Sequence, residues 1–170
     1  MDAQARRQAV SRRLEGAAGP VSAAALAREF SVSRQVIVGD IALLRAGGMN
    51  IAATPRGYVL PRETAGLVRT LACRHRSDQM EAELNAIVDQ GCTVVDVIVE
   101  HPIYGQLTGP LQLSSRYDVG QFVERCRQQA AAPLSQLTEG IHLHTIVCPD
   151  QGAFARVRTA LGSLGILLEE

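Results

Sequence analysis

The amino-acid sequence predicts an α+β protein of two domains: a winged helix-turn-helix over residues 1–62 and a small mixed α/β sandwich over residues 63–170. Three observations support this prediction. Short helical segments with serine caps, followed by a Pro-Arg-Gly turn, fill the first third. Apolar strands then alternate with amphipathic helices. Basic residues are concentrated before residue 63 and acidic residues after it.

Three helices are predicted in the first domain, and the chain marks their ends. Gly16–Pro20 ends the first helix, and Gly47-Gly48 closes the third. Ser22 and Ser33 stand where N-caps are expected. Phe30–Val32 joins the last two helices, which is the spacing of a helix-turn-helix. The predicted helices cover residues 5–15, 23–29 and 34–46.

A β-hairpin is predicted directly after the third helix. Two short apolar segments within Asn50–Leu60 flank the turn Pro55–Gly57. Helix, helix-turn-helix and hairpin in this order predict a winged-helix domain, in which the second helix of the motif enters the major groove and the wing contacts the backbone or minor groove.

This arrangement singles out five polar residues as candidates for binding double-stranded DNA. Ser33, Arg34 and Gln35 begin the recognition helix, and arginine and glutamine pair bidentately with guanine and adenine. Arg45 and Arg56 are better placed for phosphates. A homodimer is expected, since helix-turn-helix proteins usually read two half-sites.

The charge distribution favours DNA over the alternative, which is a winged helix that serves as a protein-interaction module. Residues 1–62 contain nine arginines and four acidic residues, and residues 63–170 contain eight arginines and thirteen acidic residues. The chain contains no lysine. A basic domain beside an acidic one indicates that only the first meets a polyanion.

The second domain is predicted to hold a small mixed sheet with helices mainly on one face. Residues 133–138 are expected to form a loop, Ser77 and Ser115 to cap helices, and Gly91 to end one. The predicted strands cover residues 67–74, 93–101, 106–113, 140–148 and 165–168, and the predicted helices cover residues 77–90, 116–130 and 151–161.

The histidines of this domain suggest a metal site. His142 and His144 are separated by one residue on a predicted strand. Their side chains are therefore expected on the same face of the strand, about 7 Å apart. His75 ends another strand, and Glu83 lies two turns into the next helix. Together these four side chains would make a complete site for zinc, nickel, cobalt or iron. His101 is a further candidate ligand, or a residue that holds a bound molecule.

Other interpretations of these residues stay open on spacing alone. A strand-end histidine is often a satisfied structural residue, and no local pattern such as H-E-x-x-H ties the four together. The chain has no G-x-S-x-G elbow or P-loop, although metal-assisted hydrolysis is formally compatible with such ligands. Four cysteines without a C-x-x-C pair are expected to be buried free thiols. No apolar run reaches about 18 residues and no signal-peptide core is present, so a cytoplasmic protein without membrane attachment is expected.

The sequence also resembles a known family along nearly its whole length. Val32–Ile41 and Ala53–Leu60 resemble the winged helix of the niacin-responsive transcription repressors. Val99–Gly105, Ser115–Val119 and Pro133–Thr145 resemble their three-histidine (3H) domain, and the H-x-H pair after an L-T-x-G loop is quite specific.

The resemblance implies a non-enzymatic repressor of genes for NAD biosynthesis or niacin uptake, with nicotinic acid as co-repressor. It also implies a divalent transition metal (nickel, zinc, iron or similar) on His75, Glu83, His142 and His144. His101, Tyr104 and Arg116 are candidate nicotinate contacts, because a cation and a ring suit an aromatic carboxylate. The alternatives are a metal-dependent enzyme acting on a pyridine nucleotide or its precursor, and a sensor of the metal itself.

Overall fold

Three helices precede the predicted wing in the N-terminal unit. A computed structural model describes residues 2–62, 65–130 and 132–169 of the protein. In the first unit the helices are α1 (Ala3–Glu15), α2 (Ala23–Glu29) and α3 (Arg34–Ala46), and the strands are β1 (Ala52–Thr54) and β2 (Gly57–Val59). The expected winged helix-turn-helix is therefore present, with both helices of the motif at their predicted bounds.

Each of these helices begins at a side-chain cap. Asp2, Ser22 and Ser33 each accept a hydrogen bond from the backbone N–H three residues on, which satisfies a donor that the helix leaves unpaired. Apolar side chains from all three helices and from the ends of the wing then form one core. The buried members of this core are Val10, Leu14, Val21, Ala23, Leu26, Ala27, Ile37, Ile41 and Ile51.

The wing is tied to the helices through its second strand. β1 and β2 pair antiparallel, and Tyr58 exchanges backbone hydrogen bonds of 2.9 Å with Val21. Gly57 has a φ of 138°, and a Cβ at this position would lie 2.4 Å from the backbone of Val21. Only glycine fits this close approach, so the wing has a fixed attachment to the segment before α2.

Among its described residues, the second unit contains a four-stranded sheet and three α-helices. Its strands are β3 (Leu67–Arg74), β4 (Thr93–His101), β5 (Gly105–Leu113) and β6 (Ile141–Cys148). Its helices are α4 (Met80–Val88), α5 (Arg116–Gln129) and α6 (Gln151–Ser163). The strand order is β3-β6-β4-β5, so β6 lies inside the sheet between β3 and β4.

The core of this unit lies between one face of the sheet and the helices. Alternate residues of β3 and β6 are buried, among them Leu71, Cys73, Ile146 and Cys148. They pack with apolar residues of α4, α5 and α6. On the other face Val68 is 55% exposed. His142 and His144 point into the covered face because they alternate in phase with Ile146 and Cys148.

Several details differ from the sequence prediction. All three pairings within the sheet are antiparallel, where a mixed sheet was expected. Residues 77–79 form a 3₁₀ turn before α4, and residues 134–138 form a 3₁₀ helix instead of an open loop. The predicted last strand, 165–168, is reduced to one bridge between Leu167 and Cys73, since this short segment shares few hydrogen bonds with the outer edge of β3.

The contacts divide the chain into two compact units, Met1–Glu63 and Thr64–Glu170. The predicted second domain starts at residue 63, which lies outside the described residues. No helix in the described part of the chain is long and apolar enough to cross a membrane.

Candidate metal centre and nucleic-acid interface

The four predicted metal ligands converge in the second unit. Glu83, on α4, accepts contacts at both carboxylate oxygens. Its Oε2 lies 2.6 Å from His75 Nε2, and its Oε1 lies 2.8 Å from His142 Nε2. His144 Nε2 lies 3.3 Å from the same Oε1. Three imidazoles and one carboxylate, far apart in sequence, thus form a single cluster.

Secondary structure explains why they meet. His75 directly follows β3, whose last residue Arg74 faces Ile141 at the start of β6. His142 and His144 therefore lie beside His75 on the covered face, with neighbouring ring centroids 4.8 Å apart in both pairs. Helix α4 places Glu83 over them. All four side chains are at most 3% exposed, so the cluster is shielded from water.

The backbone fixes the orientation of all three rings. His75 Nδ1 lies 2.6 Å from the Arg76 carbonyl oxygen, and His142 Nδ1 lies 2.8 Å from that of Gly140. His144 Nδ1 lies 2.7 Å from the Asp96 carbonyl oxygen. A carbonyl oxygen only accepts, so each Nδ1 carries a proton and each Nε2 points at Glu83, where it can donate a proton to the carboxylate or, once deprotonated, offer its lone pair to a metal. This is the arrangement of metal-binding histidines, whose other nitrogen donates to a carbonyl or carboxylate.

The electrostatics of the cluster follow from burial and from Glu83. Burial alone would raise the pKa of Glu83, but the charge of His144 and the contacts with His142 and His75 hold that pKa well below its ordinary value. Burial lowers the pKa of His75 and of His144, yet the nearby carboxylate outweighs burial and raises both. Without a metal, protons on these rings compensate the buried negative charge.

One ring nitrogen in the cluster lacks a hydrogen-bond partner. His144 Nε2 is fully buried and makes no hydrogen bond among the described residues, because its approach to Glu83 lacks hydrogen-bond alignment. Buried polar atoms without partners are rare in native proteins. Three imidazole nitrogens grouped around one buried carboxylate are donor types that divalent transition metals bind, so the chemistry of the residues present fits such an ion.

Three contributors to this cluster are not predicted from the sequence. Cys73 was expected to be a core residue, and its Sγ lies within 4.8 Å of ligand atoms of Glu83 and His142. Cross-strand pairing of Cys73 with His142 explains this proximity. Asp96 acts through its backbone carbonyl, to which no sequence pattern points.

Gly140 is the third. It has a φ of 90°, and a Cβ there would lie 2.3 Å from the His75 carbonyl oxygen. A glycine that directly precedes an H-x-H strand is a signal that could have identified it.

Two of the three residues predicted to contact nicotinate, His101 and Tyr104, lie at the end of the sheet that carries the histidine cluster. His101 ends β4, and by register it stands level with Gly140 and His75 across the sheet. Its Nδ1 accepts hydrogen bonds from the backbone N–H groups of Ile103 and Tyr104, at 3.1 and 3.3 Å. Tyr104 is 72% exposed, with its ring 5.1 Å from that of His101.

Arg116 lies elsewhere. It follows β5 by three residues, and the end of β5 at Leu113 faces Val94 near the beginning of β4. His101 is seven residues further along β4, so roughly 20 Å of strand separate the two positions. The Arg116 guanidinium also makes a bidentate ion pair with Asp89, at 2.7 and 2.6 Å. Within one chain, Arg116 does not belong to a site with His101 and Tyr104.

The predicted DNA-binding residues lie on α3 and the wing. Arg34 and Gln35 are exposed in the first turn of α3, whereas the Ser33 hydroxyl caps that helix at 3.3 Å. Arg45 Nε donates to the Ile51 carbonyl at 2.9 Å, and its guanidinium lies 5.8 Å from the Tyr58 ring centroid. Arg45 therefore links α3 to the wing.

Arg56 is half-buried in the wing turn, where its backbone N–H donates to Thr54.

Comparisons with known proteins agree with both parts of this description. Residues 6–59 match the family model of an HTH domain, and residues 68–170 match that of the 3H domain. The chain is 46% identical over 167 residues to the "Probable transcription repressor NiaR" of Thermotoga maritima, covering 98% of this chain and 95% of that protein. It is 42% identical over 161 residues to the "Transcription repressor NadR" of Bacillus subtilis, covering 92% and 89%. The chain belongs to this NiaR/NadR family of transcription repressors, with a DNA-binding helix-turn-helix domain followed by a 3H domain.

Proposed function

We propose that this repressor senses nicotinic acid as a co-repressor and controls genes for NAD biosynthesis or niacin uptake. A divalent transition metal held by His75, Glu83, His142 and His144 would form the core of the sensor. The observation that carries the proposal is the convergence of three Nε2 atoms on one buried carboxylate, with every Nδ1 engaged by a backbone carbonyl. A metal bound there would supply a Lewis acid for the carboxylate or ring nitrogen of a pyridine acid.

The ligand is proposed to approach at the end of the sheet that carries His75 and His101. At this end the 3₁₀ helix Leu134–Thr138 packs against β4 and β6. Tyr104 and Leu137 leave apolar surface exposed, at 72% and 56%. An aromatic ring would stack on Tyr104, and His101 would meet its carboxylate. Arg116 is too distant to join them in the same chain.

DNA binding is proposed to use Arg34 and Gln35 for base edges and Arg56 for phosphate. Both α3 residues are exposed and unobstructed by the core, and their side chains are those that read guanine and adenine. Ser33 and Arg45 would contribute through the cap of α3 and the link to the wing, in addition to any phosphate contact. A homodimer would place two α3 helices in successive major grooves.

Nicotinate would act by binding one dimer geometry more tightly than another. A ligand shifts the equilibrium between two dimer geometries only through its difference in affinity for them. Operator DNA whose half-site spacing matches the nicotinate-bound geometry would favour that same geometry. Reciprocity follows: operator DNA should raise the affinity for nicotinate by the same factor.

A gel-shift titration tests the co-repressor role. Metal-loaded protein is titrated onto operator DNA with nicotinate, with nicotinamide or with neither. We expect nicotinate alone to tighten binding by about 5–150-fold, the usual range of allosteric coupling, because the amide lacks the negative charge. Equal DNA affinity in all three series would refute the role. If metal alone tightened binding and nicotinate added nothing, the protein would be a metal sensor instead.

A pair of arginine variants tests the DNA-binding surface. Arg34→Ala removes an exposed guanidinium from α3, and Arg28→Ala removes one from α2, outside the recognition helix. We expect Arg34→Ala to weaken operator binding by about 1–3 kcal/mol and to relax base preference at one position, as the loss of a bidentate base contact does. Equal effects of both variants would indicate phosphate attraction without base readout at Arg34.

A further inference from the structure

Two cysteines that are 56 residues apart meet in the core of the second unit. Cys92 Sγ lies 3.0 Å from Cys148 Sγ, and both residues are completely buried. Cys92 directly precedes β4 and Cys148 ends β6. The sequence shows no C-x-x-C pair, so only the strand pairing reveals that these two thiols are neighbours.

The register is compatible with a covalent bond between the two cysteines. Thr93 pairs with Val147, so Cys92 and Cys148 are the next opposed positions of the antiparallel strands. Opposed residues have Cα atoms about 4.5–5.5 Å apart, which falls within the range of about 4.4–6.8 Å found for disulfides. A small rotation of the side chains would bring the sulfurs to bonding distance.

A surface groove lies beside Gln90, whose carbonyl oxygen Cys92 Sγ approaches. The groove has a volume of about 400 Å³ and is lined by Gln90, Ala155, Arg156, Thr159 and Ala160. Cys92 Sγ lies 4.0 Å from the Gln90 carbonyl oxygen, and Arg156 Nε donates to the Gln90 side chain at 3.0 Å. Burial and the contact with Cys148 raise the pKa of the Cys92 thiol, and the positive charge of Arg156 offsets part of that rise.

We propose that Cys92 and Cys148 form a reversible dithiol–disulfide site that a hydroperoxide oxidises. With hydrogen peroxide, the Cys92 thiolate attacks one oxygen, the O–O bond breaks, and a sulfenic acid and one water result. The Cys148 sulfur then attacks the Cys92 sulfur, the S–O bond breaks and a second water leaves. Two thiol hydrogens and two electrons pass to the peroxide. A dithiol reductant reverses the reaction.

Burial of the two cysteines should make their oxidation slow. Burial, together with the hydrogen bond to Cys148, raises the pKa of Cys92 to about 12. Since only the thiolate attacks, oxidation should accelerate as the pH rises from about 7 to 9. Once formed, the bond would join the residue before β4 to the last residue of β6, four positions beyond His144. Its expected effect is a more stable second unit.

The full-length, chelator-treated protein is tested with hydrogen peroxide, followed by alkylation under denaturing conditions and peptide mass mapping. We expect two of the four thiols to become resistant to alkylation, and a linked peptide pair containing Cys92 and Cys148, which a dithiol releases. Cys126→Ala should still form the link, and Cys148→Ala should not. If the wild type keeps four alkylatable thiols, or if the linked pair contains other cysteines, the proposal is wrong. Mapping of the wild type decides this even if a variant fails to fold.

Discussion

Asp40 in the first unit and Glu83 in the second are both buried carboxylates, and they are surrounded differently. Asp40, 3% exposed, lies under α1, where Arg6 Nε and Nη2 donate to its two oxygens at 2.6 and 3.3 Å. Glu83, 1% exposed, faces three histidines. The two carboxylates are therefore similarly buried, and they differ in the side chains that surround them.

The partners decide what each carboxylate can do. Arginine is always charged and offers only donors, so Asp40 and Arg6 form a complete ion pair that joins α1 to α3. Histidine offers a lone pair as well, so the cluster around Glu83 is complete only when protons or a metal compensate the carboxylate. A buried carboxylate paired by arginine indicates structure, whereas one surrounded by imidazoles indicates a binding site.

Removal of the Glu83 charge should have the largest effect. Glu83→Gln keeps the size of the side chain but removes the anionic ligand. We expect zinc affinity to fall by more than about 100-fold, because losing a direct ligand should cost more than losing a residue that only hydrogen-bonds to one. Isothermal titration with zinc measures this. Glu81→Gln, exposed on the same helix, is the matched control and should bind zinc like the wild type. Equal affinities of the two variants would show that Glu83 is not a ligand.

The equivalent change in the first unit should alter stability and leave zinc binding alone. Asp40→Asn leaves the Arg6 guanidinium without its counter-charge at the α1–α3 contact, and we expect the melting temperature of that unit to fall by roughly 4–8 °C. Differential scanning calorimetry measures the shift. Glu29→Gln, which removes the partner of Arg13 in an exposed pair, should shift it much less. A change in zinc affinity for Asp40→Asn would contradict the distinction between the two carboxylates.

The histidines should make folding stability depend on pH with opposite signs in the metal-free and the metal-bound protein. The raised pKa values of His75 and His144 stabilise the metal-free fold below about pH 6.5, and that contribution is lost as the pH rises through the raised values. The lowered pKa of Glu83 stabilises the fold above about pH 4.5, a contribution lost as the pH falls through the lowered value.

Protons compete with the metal for the same nitrogens, so zinc should raise the melting temperature more at about pH 8 than at about pH 6. Thermal denaturation with and without zinc at the two pH values measures the difference. A zinc-induced shift that is independent of pH would argue against histidine ligation.

The smallest effect should come from a change of geometry at constant charge. Arg6→Lys keeps the positive charge near Asp40 but cannot reproduce the two-pronged contact of the guanidinium. Arg7 Nη1, 3.8 Å from Asp40, also remains. We expect a loss of about 2 °C in melting temperature, smaller than for Asp40→Asn. A larger loss than for Asp40→Asn would mean that lysine introduces a new conflict.

Local signals predicted the helices and most strands of this protein. Ser22, Ser33 and Ser115 cap α2, α3 and α5 as expected, because N-cap chemistry depends on residues close in sequence. Ser77, also predicted to cap a helix, instead lies inside the 3₁₀ turn before α4. The other failures involve distant partners. The last segment forms only an isolated bridge to β3, and the antiparallel direction of the sheet depends on strand order, which periodicity does not encode.

In the candidate site, too, some residues were predictable from the sequence and others depend on the pairing of distant strands. Residue types and the H-x-H alternation, with the family resemblance, indicated His75, Glu83, His142 and His144, which the structure brings together. Arg116 was grouped with His101 on chemistry alone, and the length of the β4–β5 hairpin separates them. Cys73 joins the cluster only through its pairing with His142, which requires the register of two strands 69 positions apart.

The interior position of β6 has a consequence for how fast a bound ion exchanges. Its amides and carbonyls are engaged by β3 on one side and β4 on the other, so this strand should be among the last segments to open in native-state hydrogen exchange. Two of the proposed ligands, His142 and His144, are therefore anchored in the slowest-opening part of the unit. Metal release would then follow the opening of the whole domain, on a far longer timescale than the binding and release of a small effector at the exposed hairpin end.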